Sequence, residues 1–360
     1  MRTLNAQERP ILPSATQKRT KTRIVILMLL SIGTMINYLD RTILGIVAPK
    51  LTSEIHIDPA MMGIVFSAFA WTYALAQIPG GMFLDRFGNK LTYALSIFFW
   101  STFTLLQSFS VGLKSLLLLR LGLGISEAPC FPVNSRVVSK WFPQHERARA
   151  TATYTVGEYI GLAAFSPLLF LILEHHGWRT LFFLTGGLGI AFTFVWWKFY
   201  HEPHQSKTAN KAELEYIGVE NTASADENIP FNWPDAKRLL CCRQIIGASL
   251  GQFAGNTTLV FFLTWFPTYL ANERHLPWLH VGFFASWPFL AAAIGIFFGG
   301  WVSDKILKKT CSVNISRKLP IISGLLLSSC IIVANWVESN TAVITVSYTH
   351  LRAHETPEHL

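Results

Sequence analysis

Charge is scarce in this chain. Asp, Glu, Lys and Arg make up only 14% of its 360 residues, against roughly 25% in ordinary soluble domains, while 51% are hydrophobic. That balance excludes a soluble globular domain and points to a membrane protein. Catalytic signatures are missing as well: no His-Glu-x-x-His, Gly-x-Ser-x-Gly or P-loop pattern occurs, which removes the usual grounds for an intramembrane enzyme. The five cysteines have no metal-ligand spacing, and no cofactor is expected. No small-residue cleavage site follows the basic stretch from Arg2 to Arg23, so residues 1–23 read as a basic tail rather than a signal peptide.

What is present is a series of apolar runs, each about 20 residues long and so able to cross a bilayer core. We read nine complete spans, at about 24–47, 60–83, 91–113, 115–138, 149–173, 178–200, 244–270, 279–303 and 319–337. A tenth apolar stretch begins at Thr341. Lys and Arg crowd alternate loops, which places the N terminus and the long polar connection 201–243 in the cytoplasm by the positive-inside rule. The net charge of +9 then reflects topology and contact with anionic lipid, with no nucleic-acid partner. Within the connection, Lys211-Ala-Glu-Leu-Glu-Tyr-Ile217 reads as a short surface helix.

A repeat divides the chain. Residues 80–90 read GGMFLDRFGNK and residues 299–309 read GGWVSDKILKK, each after the second span of its half. Gly81, Asp85 and Arg86 in one copy and Asp304 in the other read as gate elements between two bundles, with simple helix capping by Asp85 as the competing reading. Parallel repeats of this kind mark two-bundle transporters that work by alternating access.

The stretch Ile36-Asn-Tyr-Leu-Asp-Arg-Thr42 places charge at the middle of the first span, and Arg120 and Glu127 do so in the fourth. At about 2.5–3.5 kcal/mol per charge on insertion scales, Asp40, Arg41, Arg120 and Glu127 together would cost on the order of 10 kcal/mol in lipid, so they must face inward. Arg120 and Glu127 are seven apart and Tyr38 and Arg41 three apart, so each pair shares a helix face. Two guanidinium groups and two carboxylates are expected to meet in one cavity. Salt bridges that merely orient helices are the alternative. Paired opposite charges speak against a channel lined by one sign. A carboxylate near Arg in a dry cavity can take up a proton, which frees the Arg for an incoming organic anion. Proton uptake and anion binding are thereby coupled.

The first repeat copy, with Asn37-Tyr-Leu-Asp-Arg41, Arg120-Leu-Gly-Leu-Gly-Ile-Ser-Glu-Ala-Pro129, Trp141-Phe-Pro-Gln-His-Glu-Arg147 and Gly177-Trp-Arg179, resembles the major facilitator superfamily, and within it the anion:cation symporter branch of sugar-acid carriers. The resemblance implies an all-α membrane fold of two six-helix bundles around a central cavity. It also implies Asp40 and Glu127 as proton-coupling sites, with Arg41, Arg120 and Tyr38 at the substrate.

On that basis the organisation reads as a tail (1–23), a complete N-terminal six-helix bundle (24–200), a cytoplasmic loop (201–243) and a truncated C-terminal bundle (244–345). Val346 to Thr356 resembles the translation of a sequencing adaptor, so 346–360 reads as an artefactual tail. Asn37, Gln252 and Asn256 are expected to serve substrate hydroxyls. Glu158, where many branch members have Gln, adds a third carboxylate to the substrate region. The expected activity is proton-driven symport of a sugar acid across the inner membrane by a monomer. Aromatic carboxylate symport is one alternative, and a non-transporting membrane sensor is another.

Overall fold

A computed structural model describes residues 18–218, 233–310 and 312–328, and in these the regular structure is helical throughout. The expected tail segment 346–360, the stretch from Thr341 and the end of the ninth span lie outside the described residues. Six helices among the described residues are long and apolar enough to cross a membrane, two of them long enough to hold two spans each.

The first half is built from α1 (Thr22–Ile55), α2 (Pro59–Gln107), α3 (Leu113–Glu127), α4 (Cys130–Trp141) and α5 (Gln144–Phe199). Both α2 and α5 reverse direction inside. The corner of α2 is Gly88, at φ 75° and ψ 174°, and that of α5 is Gly177, at φ 79° and ψ 170°. Side chains rarely tolerate this backbone geometry, so a single glycine in each case turns one span into the next. The second and third expected spans are thus the arms of α2, and the fifth and sixth those of α5. The fourth expected span is α3 and α4 together, one membrane-length stretch Leu113–Trp141 with a turn at Ala128–Pro129, where proline supplies no N–H.

The second half contains α6 (Lys211–Ile217) and α7 (Trp233–Leu240) in the connection, then α8 (Arg243–Thr264), α9 (Phe266–Asn272), α10 (Trp278–Thr310) and α11 (Val313–Ser328). The expected surface helix 211–217 is α6, capped by the Asn210 side chain, which accepts from the Glu213 N–H at 3.0 Å. It is not a free element. Its buried Glu213 carboxylate accepts the first two N–H groups of α1, from Thr22 at 3.2 Å and Arg23 at 3.1 Å, and so caps a helix 190 residues away. Tyr216 adds to the clamp: Arg19 and Arg23 lie over its ring, and its hydroxyl donates to Glu146 at the start of α5 at 2.6 Å.

Large apolar side chains such as Leu75, Leu118 and Phe194 face outward, as a lipid-facing surface requires, while Trp100, Trp141, Trp178 and Trp196 are fully buried. Without a hydrophobic drive between helices in lipid, close approach is what holds them. A Cβ at Gly186 of α5 would lie 2.6 Å from the Leu105 backbone nitrogen and the Ser101 carbonyl of α2, and one at Gly124 would lie 2.5 Å from the Phe69 carbonyl.

Among the described residues the two halves meet where α10, from Val281 to Ile296, packs on α5, and where α1 and α2 reach the end of α8. There Gly45 of α1 packs on the Leu263–Thr264 backbone, Phe66 sits 5.3 Å from the Trp265 ring, and Gly282 of α10 packs on Phe170 of α5. At the opposite end, the first three turns of α8, Arg243 to Ala254, are exposed on every side. Basic residues gather at that open end, where Arg23 pairs with Glu146 at 3.1 Å and Lys140 with Glu202 at 3.7 Å.

Candidate functional site

The charged residues of α1 and α3 lie at mid-depth of the first half. Glycine sets their spacing: Gly124, one turn above Arg120 and one below Glu127, lets α3 approach the Phe69–Tyr73 turn of α2 so closely that those rings reach the charges.

Arg41 forms a salt bridge with Glu127 through both its Nε and one terminal nitrogen. The Glu127 side chain is fully buried, and Arg41 retains 15% exposure. Around the guanidinium stand the rings of Tyr38 at 4.8 Å, Tyr73 at 4.9 Å, Phe69 at 5.2 Å and Phe131 at 6.0 Å. Flat aromatic faces suit a flat, weakly hydrated cation, so the cage holds Arg41 with its fork directed at a carboxylate. Arg120 lies 5.0 Å from the Phe69 ring as well, so the two guanidiniums share one phenyl ring.

Several buried groups in this cluster lack a protein partner. Arg120 is 2% exposed, and its Nε and Nη1 meet no acceptor. The second oxygen of Glu127 and both amide atoms of the adjacent Asn37 are likewise unanswered. Orphaned buried donors and acceptors are costly and rare away from functional sites. Here they supply cationic, amide and acidic groups in one place, which suits a polyhydroxylated anion.

Tyr38 does share a face with Arg41, as its spacing predicts, and its hydroxyl lies beside Glu158 of α5, a buried carboxylate. Glu158 therefore belongs to the same cluster. Asp40 stands at the edge of the cluster, close to Glu127 and Arg120. Adjacent helix positions diverge by about 100°, and with Arg41 facing the cage, Asp40 turns toward Trp100 and Thr104 of α2 and Thr185 of α5. The four expected charges are therefore neighbours with different partners: Glu127 pairs with Arg41, while Asp40 faces Trp100, Thr104 and Thr185 and stays close to Glu127 and Arg120.

Gln252 and Asn256 stand on α8 as exposed residues. Asp85 pairs with Arg136 of α4 at 2.9 Å, a link within the first half, and Arg86 lies over Phe87. Gly81 has open space around it. Asp304 lies within α10, and its side chain falls outside the described residues. Sequence reasoning missed the aromatic cage. Phe69, Tyr73 and Phe131 are ordinary apolar residues of their spans, and the signal that could have found them is the small-residue packing at Gly124.

Comparison with known proteins agrees with this architecture. The Major Facilitator Superfamily signature matches residues 30–349. The chain is 46% identical over 332 residues to a D-galactonate transporter of Escherichia coli O6:H1, covering 90% of this chain and 77% of that protein. It is 42% identical over 345 residues to a probable galactarate/D-glucarate transporter of Escherichia coli K12, covering 92% and 77%. Among solved structures, a bacterial homologue of the human lysosomal transporter Spinster, in an inward-facing and unoccupied conformation, superposes with a TM-score of 0.70 at 22% identity, covering 94% of this chain and 74% of that one. The E. coli xylose transporter XylE does so with a TM-score of 0.70 at 11% identity, covering 94% and 85%.

Proposed function

The chain belongs to the Major Facilitator Superfamily, and we propose that it carries a sugar acid, an aldonate or aldarate, into the cell together with protons by alternating access. The observation that carries this reading is the caged Arg41–Glu127 pair with Arg120 beside it. A carboxylate substrate and Glu127 compete for the same guanidinium. Protonation of Glu127 releases Arg41, whose charge persists at any accessible pH, and the substrate carboxylate replaces the lost partner. Anion binding and proton uptake then occur together.

Arg120 offers a second anchor, suited to the far carboxylate of an aldarate or to hydroxyls. Asn37 and Tyr38 provide further polar groups for a hydroxylated chain. Asp40, close to both Glu127 and Arg120, is read as a second protonation site. The relatives named above point to the same substrate class.

In this reading the basic end, with the N terminus, faces the cytoplasm, and the cavity is open on that side. The gate role of Asp85 and Arg86 and the hydroxyl-binding role of Gln252 and Asn256 remain part of the proposal. The aromatic cage favours one second reading, a carboxylate attached to an aromatic ring that stacks among Tyr38, Tyr73 and Phe131. Uptake assays in proteoliposomes with an imposed proton gradient test the choice. D-galactonate and D-glucarate are expected to accumulate and to compete with each other. Accumulation of benzoate-type acids alone would overturn the sugar-acid reading.

A further inference from the structure

On the side of Asp40 away from Arg41, a strip of buried polar groups runs between α1, the second arm of α2 and the second arm of α5. Asp40 is 1% exposed, and neither carboxylate oxygen finds a donor in hydrogen-bond geometry. Nearest to it are Trp100, Thr104 and Thr185. The Trp100 indole nitrogen and the Thr104 hydroxyl are themselves buried without a partner. One turn further along α2, about 4.5 Å of helix rise, the Gln107 side-chain oxygen is buried and unanswered too. Next come Ser108 and Ser110, both buried, which also line a cavity of about 520 Å³ open at the surface. Thr180 and Arg179 line its other wall, and Arg179 pairs with Glu54 at 3.3 Å.

The strip is therefore continuous in chemistry from the surface to Asp40, and it lies at the end where the two halves are closed together. Trp100, Thr104 and Thr185 stand within reach of Asp40 as donors, whereas the Gln107 oxygen one turn further on meets none. Buried polar groups spaced in this way are suited to bridging by water.

We propose that this strip is a proton path from the outer surface to Asp40, separate from the central cavity in which the anion binds. It rests on the symport reading above. A proton entering at Ser110 adds to one end of a water chain, and a different proton leaves the other end to form an O–H bond on the Asp40 carboxylate, which becomes neutral. No electron is transferred and no other bond is broken. The charged groups that face Asp40 are Glu127 and Arg120. A proton arriving by this path would thus change the field at the anion site without crossing it, and Asp40 could be loaded from outside while the central cavity is open inward.

The test uses the whole chain in proteoliposomes and compares two activities. One is uptake of D-galactonate driven by an external acid pulse; the other is counterflow of the same anion at equal pH, which needs no proton delivery. In the double variant Thr104→Val, Gln107→Leu, acid-driven uptake is expected to fall about tenfold, a change equivalent to about 1.4 kcal/mol in barrier, with counterflow within about twofold of the parent. Thr104→Ser, which keeps a hydroxyl, is expected to retain acid-driven uptake. Full acid-driven uptake in the double variant, beside its loss in Asp40→Asn, would overturn the path and leave the symport reading intact. Full uptake in Asp40→Asn would overturn the symport reading itself. Equal loss of both activities in Thr104→Ser would also count against the path, since that change leaves the polar strip in place.

Discussion

Arg41 of α1 and Glu127 of α3 close a salt bridge across 86 residues of sequence, inside a ring of four aromatic side chains. The pair is buried on the Glu127 side and slightly open on the Arg41 side, so a ligand can reach the guanidinium without first moving the carboxylate. A pair that served only to hold helices together would gain nothing from that asymmetry.

Arg41→Lys is expected to weaken sugar-acid binding by about tenfold or more, because a point charge on a flexible stem neither presents a planar fork nor stacks in the cage. Equilibrium binding of labelled D-galactonate in detergent measures it. Wild-type affinity in Arg41→Lys would mean the cage is structural only.

The cost of leaving a charge alone is expected to show in stability. Arg41→Met should destabilise the first half by about 3–5 kcal/mol, since it strands Glu127 in a buried site, while the double change Arg41→Met, Glu127→Met should recover most of that loss. Thermal unfolding midpoints of the purified variants provide the comparison. Additive losses in the double variant would argue that the two residues do not act as a pair.

Gly186→Ala probes the close approach of α2 and α5. The added methyl would lie 2.6 Å from backbone atoms of Ser101 and Leu105, which cannot move aside as a side-chain tip can. A destabilisation of about 1–3 kcal/mol is expected, from overpacking. Gly81→Ala, where the added carbon meets open space, is the control and should unfold close to wild type.

Glu213→Ala removes the cap that α6 places on α1. Two backbone N–H groups and the Thr20 hydroxyl lose their acceptor, which is expected to cost about 1–2 kcal/mol locally. Limited trypsin digestion reads it: cleavage after Lys21 or Arg23 should become several-fold faster than in the parent. Unchanged protection would show that Tyr216 and its arginine neighbours hold the clamp without the carboxylate.

Much of the fold is legible in the sequence because hydropathy is a local property. Apolar length locates the spans, and the glycines at 88 and 177 fall in the gaps between them. Shared faces are legible for the same reason: Tyr38 with Arg41 follows from helix periodicity alone. Partner choice across helices is not. Which carboxylate meets Arg41 depends on the rotation of α1 against α3, and a rotation that brings Glu127 to Arg41 carries Asp40 toward Trp100 and Thr104. The helix 211–217 can be read from its Asn cap and charge pattern, but its grip on the start of α1 is a contact over 190 residues, with no local signature. The turn at Ala128–Pro129 is visible as a proline, and apolar residues on both sides carry one span through it.

The central claim is that a proton on Glu127 and a carboxylate on Arg41 exchange places. Glu127→Gln tests it most directly, because it removes the competitor while keeping the shape. D-galactonate affinity in this variant should depend on pH less steeply than the parent's, with only the Asp40 step left. Uphill accumulation in proteoliposomes should be lost, with exchange retained. Full proton-driven accumulation by Glu127→Gln, or binding with the parent's pH dependence, would contradict the account.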